Sequence, residues 1–556
     1  MEAELTQEQR EVVLSPASAR TIVVAGPGTG KTHVIAARVR QLIDSGAIED
    51  PERILVLSFT RAAVDVLHRR LADHSVAREV RPSTIDSYAR KAVQSSGQSP
   101  AGGFDAIIRA AIRCESEDPP HEHVIVDEAQ DLSGDRLSFV TKLLTAANGF
   151  TVLGDPAQGI YGWQETGPHI DAMDRIAKTF EDARRLELTE DHRTRSPAAR
   201  PLDGTRSAVA AGSDEQGLIR LRQRLKTAPQ LDPNALMTVL RYSRGETAVL
   251  CRTNAQVLQL SATLAAAGVA HRIQQPAQTS VPPFWLSALL RNVEADEVQK
   301  SDLDREAAQL TDAELDQAWS ELERLASDGE DILLARIRSS AAEMAELPRF
   351  MRDVPVLSTV HRSKGLEFDR VIVTDLGGRG DEASTAEEAR VLFVAATRAR
   401  DAVLATTLDR PKHAMRRRSG RWIATPWNRD EPLGVEISVG DVDRSVPFLD
   451  DGAAGYVQRH LRTAVTPGDA VQIEPAYRDG RTDLDVVHRG VAVARLTAEC
   501  VGTIGHLGLA GRRLEGLVVD RLSTAVGSAA ITEAVGAGAA GLWLVPEISG
   551  FASVLS

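Results

Sequence analysis

Cysteine is scarce: the 556 residues contain three, Cys114, Cys251 and Cys500. They are scattered and odd in number, which argues against a disulfide framework, a zinc site or an iron–sulfur cluster. Positive charge is short as well. Lys and Arg total 65 against 78 Asp and Glu, for a net charge of −13. That argues against a wholly basic nucleic-acid wrapper but leaves room for a local basic groove. No apolar run is long enough to span a bilayer. The N-terminal Met-Glu-Ala-Glu-Leu-Thr is acidic and lacks the basic and apolar regions of a signal peptide. The chain therefore reads as cytoplasmic, with no membrane partner. Internal repeats and long disordered tracts are also missing.

What is present is ordinary globular composition, 43% apolar and 26% charged, over a length that implies roughly three or four domains. Two segments stand out. Ala25-Gly-Pro-Gly-Thr-Gly-Lys-Thr32 is a phosphate loop between an apolar strand, Thr21-Ile-Val-Val24, and a helical stretch from Val34. Gly26, Gly28 and Gly30 let backbone N–H groups approach phosphate oxygens, and the helix adds its positive N-terminal end. Lys31 is placed to neutralise phosphates and Thr32 to ligate Mg²⁺. The usual first glycine is Ala25, one methyl group away from the strict pattern. The second segment is Val124-Ile-Val-Asp-Glu-Ala-Gln-Asp131, a strand running straight into acids. Asp127 is placed to hold Mg²⁺ and Glu128 to act as general base for a water. Together the two segments read as hydrolysis of a nucleoside triphosphate. His121-Glu-His123 lacks a third spaced ligand and reads as two exposed histidines before a buried strand rather than a metal site.

The first half alternates β-branched strands (Thr21–Val24, Ile54–Leu57, Val124–Val126, Thr151–Leu153) with helical stretches. That pattern predicts a parallel sheet buried on both faces. A second set, at 248–250, 356–357, 371–373 and 402–404, predicts a second α/β domain interrupted by a charged helical segment. In that segment Thr311-Asp-Ala-Glu314 is a capping box. Leu315, Trp319, Leu322 and Leu325 form one helix face, read as local core packing. Arg416-Arg-Arg418 with Arg421 is a basic stretch, and beyond about residue 430 the texture turns β-rich.

In these motifs and their order, the sequence resembles bacterial superfamily 1 helicases of the UvrD/Rep/PcrA type. Leu5-Thr-Gln-Glu-Gln9 looks like the family's glutamine motif. Leu57-Ser-Phe-Thr60 and Ser83-Thr-Ile-Asp-Ser87 look like its first DNA-contact motifs. Leu153-Gly-Asp-Pro-Ala-Gln-Gly-Ile-Tyr-Gly-Trp163 looks like its coupling motif, and Leu188-Thr-Glu-Asp-His-Arg193 like the start of its second motor domain. Ser358-Thr-Val-His-Arg-Ser-Lys-Gly-Leu-Glu-Phe368 and Leu392-Phe-Val-Ala-Ala-Thr-Arg398 match its last two motifs. The resemblance runs from about residue 5 to 405. It implies an α/β chain with two RecA-like parallel-sheet motor domains in tandem, a small helical insertion and a small β-rich C-terminal domain. The expected boundaries are 1–190 for the first motor, with a very short insertion at about 97–122. The second motor takes 191–282 and 354–410, the reduced helical insertion 283–353, and the basic linker with the β-rich domain 411–556.

The resemblance also implies site roles. Gln9 reads adenine, Gln158 senses the γ-phosphate, Arg193 and Arg398 stabilise the transferring phosphoryl group, and Glu367 binds the ribose. His33 and His192 stand where the family often stacks an arginine and a tyrosine on the base, and imidazole offers less area. Phe59, Tyr161 and Trp163 fall at base-stacking positions, with Thr60, Arg61, Thr359 and His361 on the backbone. Phe59 and Tyr161 are open to the alternative of being core aromatics. Ile85 and Asp86 replace an aromatic and a histidine; the acid repels phosphate, which leaves Tyr88 to substitute.

The implied function is a DNA-dependent ATPase, with ATP and Mg²⁺, that acts as a 3′→5′ translocase or helicase in repair, replication or recombination. Its partners would be single-stranded DNA or single/double-strand junctions, and a nuclease or repair protein. The alternative is an ATP-driven sensor of DNA ends that licenses a nuclease in a defence system. A nucleotide-gated binding protein with little turnover is disfavoured by the intact Lys31, Asp127, Glu128, Gln158, Arg193 and Arg398. The short insertions imply poor unwinding by the chain alone. Asp483 and Asp485 lack the following acid and lysine of a nuclease.

Overall fold

The computed structural model describes residues 5–59, 61–72, 76–97, 103–114, 121–160, 172–200, 204–211, 214–275, 281–308, 310–328, 331–344, 346–347, 354–374, 385–408, 413–445, 454–478, 480–534 and 540–554. The chain forms two compact units, Met1–Gln230 with Ser363–Ala405, and Leu231–Arg362 with Thr406–Ser556. Residues 191–230 and 363–405, expected in a second motor domain, fall within the first of these units, although the strands Phe368–Thr374 and Ala399–Thr406 do not belong to the sheet that contains Arg20–Ala25.

Six strands build the sheet of the first unit: β1 (Arg20–Ala25), β2 (Ile54–Ser58), β3 (Ser83–Thr84), β4 (His123–Val126), β5 (Gly149–Gly154) and β6 (Arg184–Leu188). Their order is β3-β2-β4-β5-β1-β6, and every pairing is parallel. The near-continuous apolar runs have a direct cause. Successive side chains point to opposite faces, and both faces are covered. Ile22, Val124, Val126 and Val152 enter one apolar cluster, while Val23, Ile125 and Leu153 enter the other. His123 lies within this core, with Nδ1 on Ala17 O at 2.7 Å and Nε2 on Thr151 Oγ1 at 2.9 Å. Burial pushes its pKa down to about 3, so it is a neutral core histidine. Among the described residues no group of three or more His, Cys, Asp or Glu side chains is placed to hold a metal ion. Later in the same unit, the neighbouring strands Phe368–Thr374 and Ala399–Thr406 are connected through the helix Thr385–Ala396.

In the second unit, β7 (Thr247–Cys251), β8 (Arg272–Ile273) and β9 (Val356–Thr359) are parallel, with β9 central. An antiparallel sheet of eight strands follows. It comprises β10 (Ala414–Arg418), β11 (Arg421–Thr425), β12 (Gly434–Ile437), β13 (Ala470–Arg478), β14 (Arg481–His488), β15 (Val491–Arg495), β16 (Leu514–Val526) and β17 (Leu542–Val554). The order is β10-β11-β12-β17-β16-β13-β14-β15. The β-rich part thus starts at Ala414, within the stretch read as a basic linker.

The capping box forms as expected: Thr311 caps the helix Asp312–Ala326, and Glu314 reaches back to the Thr311 N–H at 2.8 Å. The apolar face behind it does more than pack locally. Leu322 and Trp285 of the helical segment share one buried cluster with Leu517, Trp543 and Ile548 of the antiparallel sheet, and Leu315, Trp319 and Leu325 pack against it. Asp483 and Asp485 are ion-paired to Arg478, the latter at 2.6 Å, so arginine occupies the carboxylates considered for a nuclease. No helix among the described residues is long and apolar enough to cross a membrane.

Asp520 of β16 is buried. It accepts from Ile273 N at 2.8 Å and also from Ser549 Oγ and Gln275 Nε2. Burial pushes its carboxyl up to about 7, above the roughly 4 of an unfolded aspartate. The folded state therefore holds a proton that the unfolded state releases between these values. Stability contributed by this group is full below about pH 4 and is lost as pH rises towards 7. Asp520→Asn, which keeps one acceptor oxygen and removes the charge, is expected to flatten the fall in thermal midpoint between pH 5 and pH 7.5. An unchanged slope would remove Asp520 as its source.

Candidate nucleotide and nucleic-acid site

β1 ends at Ala25, and the helix Lys31–Asp44 starts after a loop whose Gly28 and Gly30 have φ of 77° and 80°. Glycine adopts that left-handed backbone without steric cost. Space requires it too. A Cβ on Gly28 would lie 2.8 Å from the Arg193 Cβ and one on Gly30 2.9 Å from Gln9 Nε2. Lys31 Nζ folds back to Ala25 O at 3.2 Å, and Thr32 occupies the helix's second position. Gln9, expected to read adenine, is buried and donates to Thr29 O at 3.0 Å, while its Oε1 accepts from Thr6 N. The loop is thus tied to the N-terminal helix Gln7–Val13.

β4 delivers the acids. Asp127 is buried, and its Oδ1 accepts the Glu128 N–H at 2.9 Å. Glu128 sits in the left-handed region, φ 53°, a backbone cost that concentrates at functional positions. Burial, then the charge of Glu128, push Asp127 up to about 7. Burial also pushes Glu128 up, but Lys31, Lys364, the Gln130 amide and Arg398 outweigh it and bring it down to about 2. Three cations from distant parts of the sequence therefore act on one carboxylate.

A buried polar chain joins these groups. Gln130 donates to Glu128 Oε2, and its own Oε1 accepts Asp155 N at 3.0 Å. Asp155 accepts Gln158 Nε2 at 2.8 Å and Arg206 Nε at 3.2 Å. Gln158 Oε1 accepts an Arg398 N–H at 2.7 Å, and Gln158 O accepts Lys364 Nζ at 2.7 Å. Lys364 is also ion-paired with buried Asp131. Arg398 is 2% exposed and is held by Val394 O at 3.1 Å and Leu366 O at 3.4 Å. Burial, then Arg193, lower its pKa to about 10, so it stays charged. Gln130, Asp131, Asp155 and Lys364 lie within the motifs quoted from the sequence, which assign them no role, and Arg206 lies outside those motifs.

Arg193 bonds Thr397 O at 3.1 Å and Glu367 Oε1 at 2.6 Å. Burial pushes Glu367 up, but Arg193, Arg400 and Arg398 hold it below the usual carboxylate range. In this structure the carboxylate expected on a ribose is bound to arginine. His192 N donates to Gly28 O at 2.9 Å while its ring is exposed, 3.8 Å from Glu190. His33, on the helix after the loop, is partly buried.

The expected nucleic-acid contacts divide differently. Phe59 and Tyr88 are partly buried against the first unit's core, and Tyr88 OH meets His121 Nε2 at 2.7 Å. Asp86 was expected to repel phosphate. Arg136 pairs with it at 3.0 Å, which offsets that charge. Arg61 opens the helix Arg61–Ala72. Thr359, which is buried and accepts Arg362 N at 3.3 Å, and partly buried His361 belong to the second unit. Thr60, Tyr161 and Trp163 lie outside the described residues.

Comparison with known proteins adds two matched stretches. Residues 5–117 and 114–181 match the UvrD/REP helicase N-terminal domain, and residues 356–406 the UvrD-like helicase C-terminal domain. A putative ATP-dependent DNA helicase R568 of Acanthamoeba polyphaga mimivirus is 24% identical over 272 residues, 45% of this chain and 38% of that protein. One component of an ATP-dependent helicase/nuclease of Clostridium botulinum is 35% identical over 69 residues, 12% of this chain and 5% of that protein. The chain thus spans well under half the length of either relative. The solved Pif1 helicase of Candida albicans overlays with a TM-score of 0.34 at 14% identity, covering 73% of this chain and 95% of that one. Residues 5–181 and 356–406, together less than half of the chain, are thus similar to the N-terminal and C-terminal domains of UvrD-like helicases.

Proposed function

We propose that the protein is a DNA-dependent ATPase that moves 3′→5′ along single-stranded DNA and separates duplex poorly on its own. The observation that carries this reading is the Arg398–Gln158 bond of 2.7 Å, within the same charge field that acts on Glu128. A glutamine held between a buried arginine and a carboxylate relay is suited to report whether a phosphate is present. Lys31 and the loop amides bind the phosphates. Glu128, ionised, orients the attacking water and takes its proton. Phosphoryl transfer depends on positioning and charge stabilisation more than on base strength, so the low pKa of Glu128 is no obstacle. Arg193 and Arg398 offset negative charge on the transferring group.

The residues fit a hard divalent cation. Thr32 offers a hydroxyl, and Asp127 offers a buried carboxyl next to the Glu128 carboxylate, two oxygen-donor groups of the kind such a cation takes. Magnesium, when bound, supplies neutralisation of phosphate charge. Asp127 and Thr32 are the groups that would hold it.

The polarity rests on the Asp127-Glu-Ala-Gln-Asp131 and Ile160-Tyr-Gly-Trp163 runs. It is tested by streptavidin displacement from end-biotinylated oligonucleotides. ATP-dependent release from the 5′ end and none from the 3′ end is expected; the opposite pattern ends the assignment. A second reading, an ATP-driven sensor of DNA ends that licenses a nuclease, is favoured by the match to the clostridial helicase/nuclease component. It would show as hydrolysis stimulated by DNA ends without displacement from either end.

A further inference from the structure

The basic stretch noted in the sequence takes no part in the nucleotide site. It forms a hairpin at the end of the antiparallel sheet. β10 is the outermost strand and pairs only with β11 among the described residues. The turn is tight, with Ser419 and Gly420 at φ 48° and 82° and Arg418 opposite Arg421. Arg416, Arg417 and Arg418 are exposed.

Charge is distributed unevenly here. From His413 to Arg429 there are five arginines and no acid, in a chain whose acids outnumber its bases. Alternate residues of a strand share a face, and Arg416 and Arg418 both meet Asp430. Asp430 thereby ties the end of the Pro426–Asp430 segment to these two arginines. The same segment carries exposed Arg429 and Trp427, the latter 62% exposed. Arg417, on the opposite face, donates to Gly420 O at 3.3 Å, and no acid pairs with it among the described residues. Charged residues on an edge strand deter pairing with other sheets, and that would account for the arginines alone. It does not account for an indole left in water three residues before Asp430.

Exposed arginines on the hairpin and an exposed indole on the segment tied to it through Asp430 match the chemistry of a single-stranded polynucleotide: phosphates for the arginines and a base face for the ring. Duplex would satisfy the arginines but hide the base faces from Trp427. We propose that the β10–β11 hairpin with Trp427 is a second single-strand contact, on the second unit and separate from the residues assigned to the motor track.

The test uses the full chain and an oligothymidine carrying 5-bromodeoxyuridine, cross-linked by ultraviolet light and mapped by mass spectrometry. An adduct on the peptide containing Trp427 is expected, and its loss in Trp427→Ala. Arg416→Ala, Arg417→Ala and Arg418→Ala combined should weaken binding about tenfold or more near physiological salt. The log–log salt dependence should become shallower by about 2, since each phosphate contact on a single strand contributes roughly 0.7. Hydrolysis without nucleic acid should be unchanged, because none of these residues belongs to the nucleotide site. Adducts confined to other peptides, or an unaltered salt slope, would overturn the proposal. So would an equal loss of blunt-duplex binding, which would assign the hairpin to duplex. A hydrolytically inert chain that still gives the Trp427 adduct would count against the motor and leave the hairpin assignment intact.

Discussion

Arg398→Ala is expected to lower DNA-stimulated ATP hydrolysis roughly 10³-fold or more, within the range for an arginine that stabilises a transferring phosphoryl group. Two features favour so large an effect over a surface ion pair worth about 1 kcal/mol at most. The guanidinium is 2% exposed, so water screens it little. It is also held in a fixed direction by Val394 O, Leu366 O and Gln158, so little reorganisation is needed during reaction. Arg398→Lys should rescue poorly, because a point charge cannot reproduce the planar fork. Removing a buried donor also leaves carbonyls unpaired, so circular dichroism and thermal midpoint must accompany the rates. Lys31→Ala and Glu128→Gln, measured with and without single-stranded DNA, should likewise show near-zero turnover. A folded Arg398→Ala protein within tenfold of wild type would end the assignment of Arg398 to catalysis.

Lys364→Met is expected to destabilise the protein by about 3–5 kcal/mol, the range for a buried pair that loses one partner. Lys364 and Asp131 are both buried, and their contact spans 233 residues of sequence. Burial already pushes Asp131 up to about 6 despite Lys364. Without the lysine that carboxyl rises further, so the folded variant prefers its proton far more than the unfolded chain does. The variant should therefore lose stability as pH rises from about 4, and its deficit against wild type should be larger at pH 8 than at pH 5.5. Asp131→Asn combined with Lys364→Met should recover much of the loss, since no buried charge remains. Chemical denaturation at both pH values reads this directly. An equal deficit at both, with no recovery in the double variant, would mean that lost packing rather than unpaired charge is responsible.

The nucleotide loop was legible because its constraints are local. Two glycines in left-handed backbone, a strand before them and a helix after them are properties of adjacent residues. The parallel sheet was legible for a similar reason: strands covered on both faces must be apolar throughout. The aromatic contacts were harder to place. Phe59 and Tyr88 suit either a base or a core, and both pack partly against the core. Asp86 looked unfavourable for phosphate until Arg136, fifty positions away, appeared beside it. The helical stripe at Leu315, Trp319 and Leu325 announced an apolar neighbour without naming it. The neighbour is the core shared with the antiparallel sheet.

The linear chain by itself settled where backbone may turn left-handed, which strands must be covered on both sides, and where Thr311 starts a helix. Those outcomes depend on torsions and periodicity over a few residues. Tertiary structure alone decided that Lys364 answers Asp131, that Arg398 holds Gln158, and that arginine occupies Glu367. Charge pairing in a poorly screened interior acts through space, and separation along the backbone gives no measure of it.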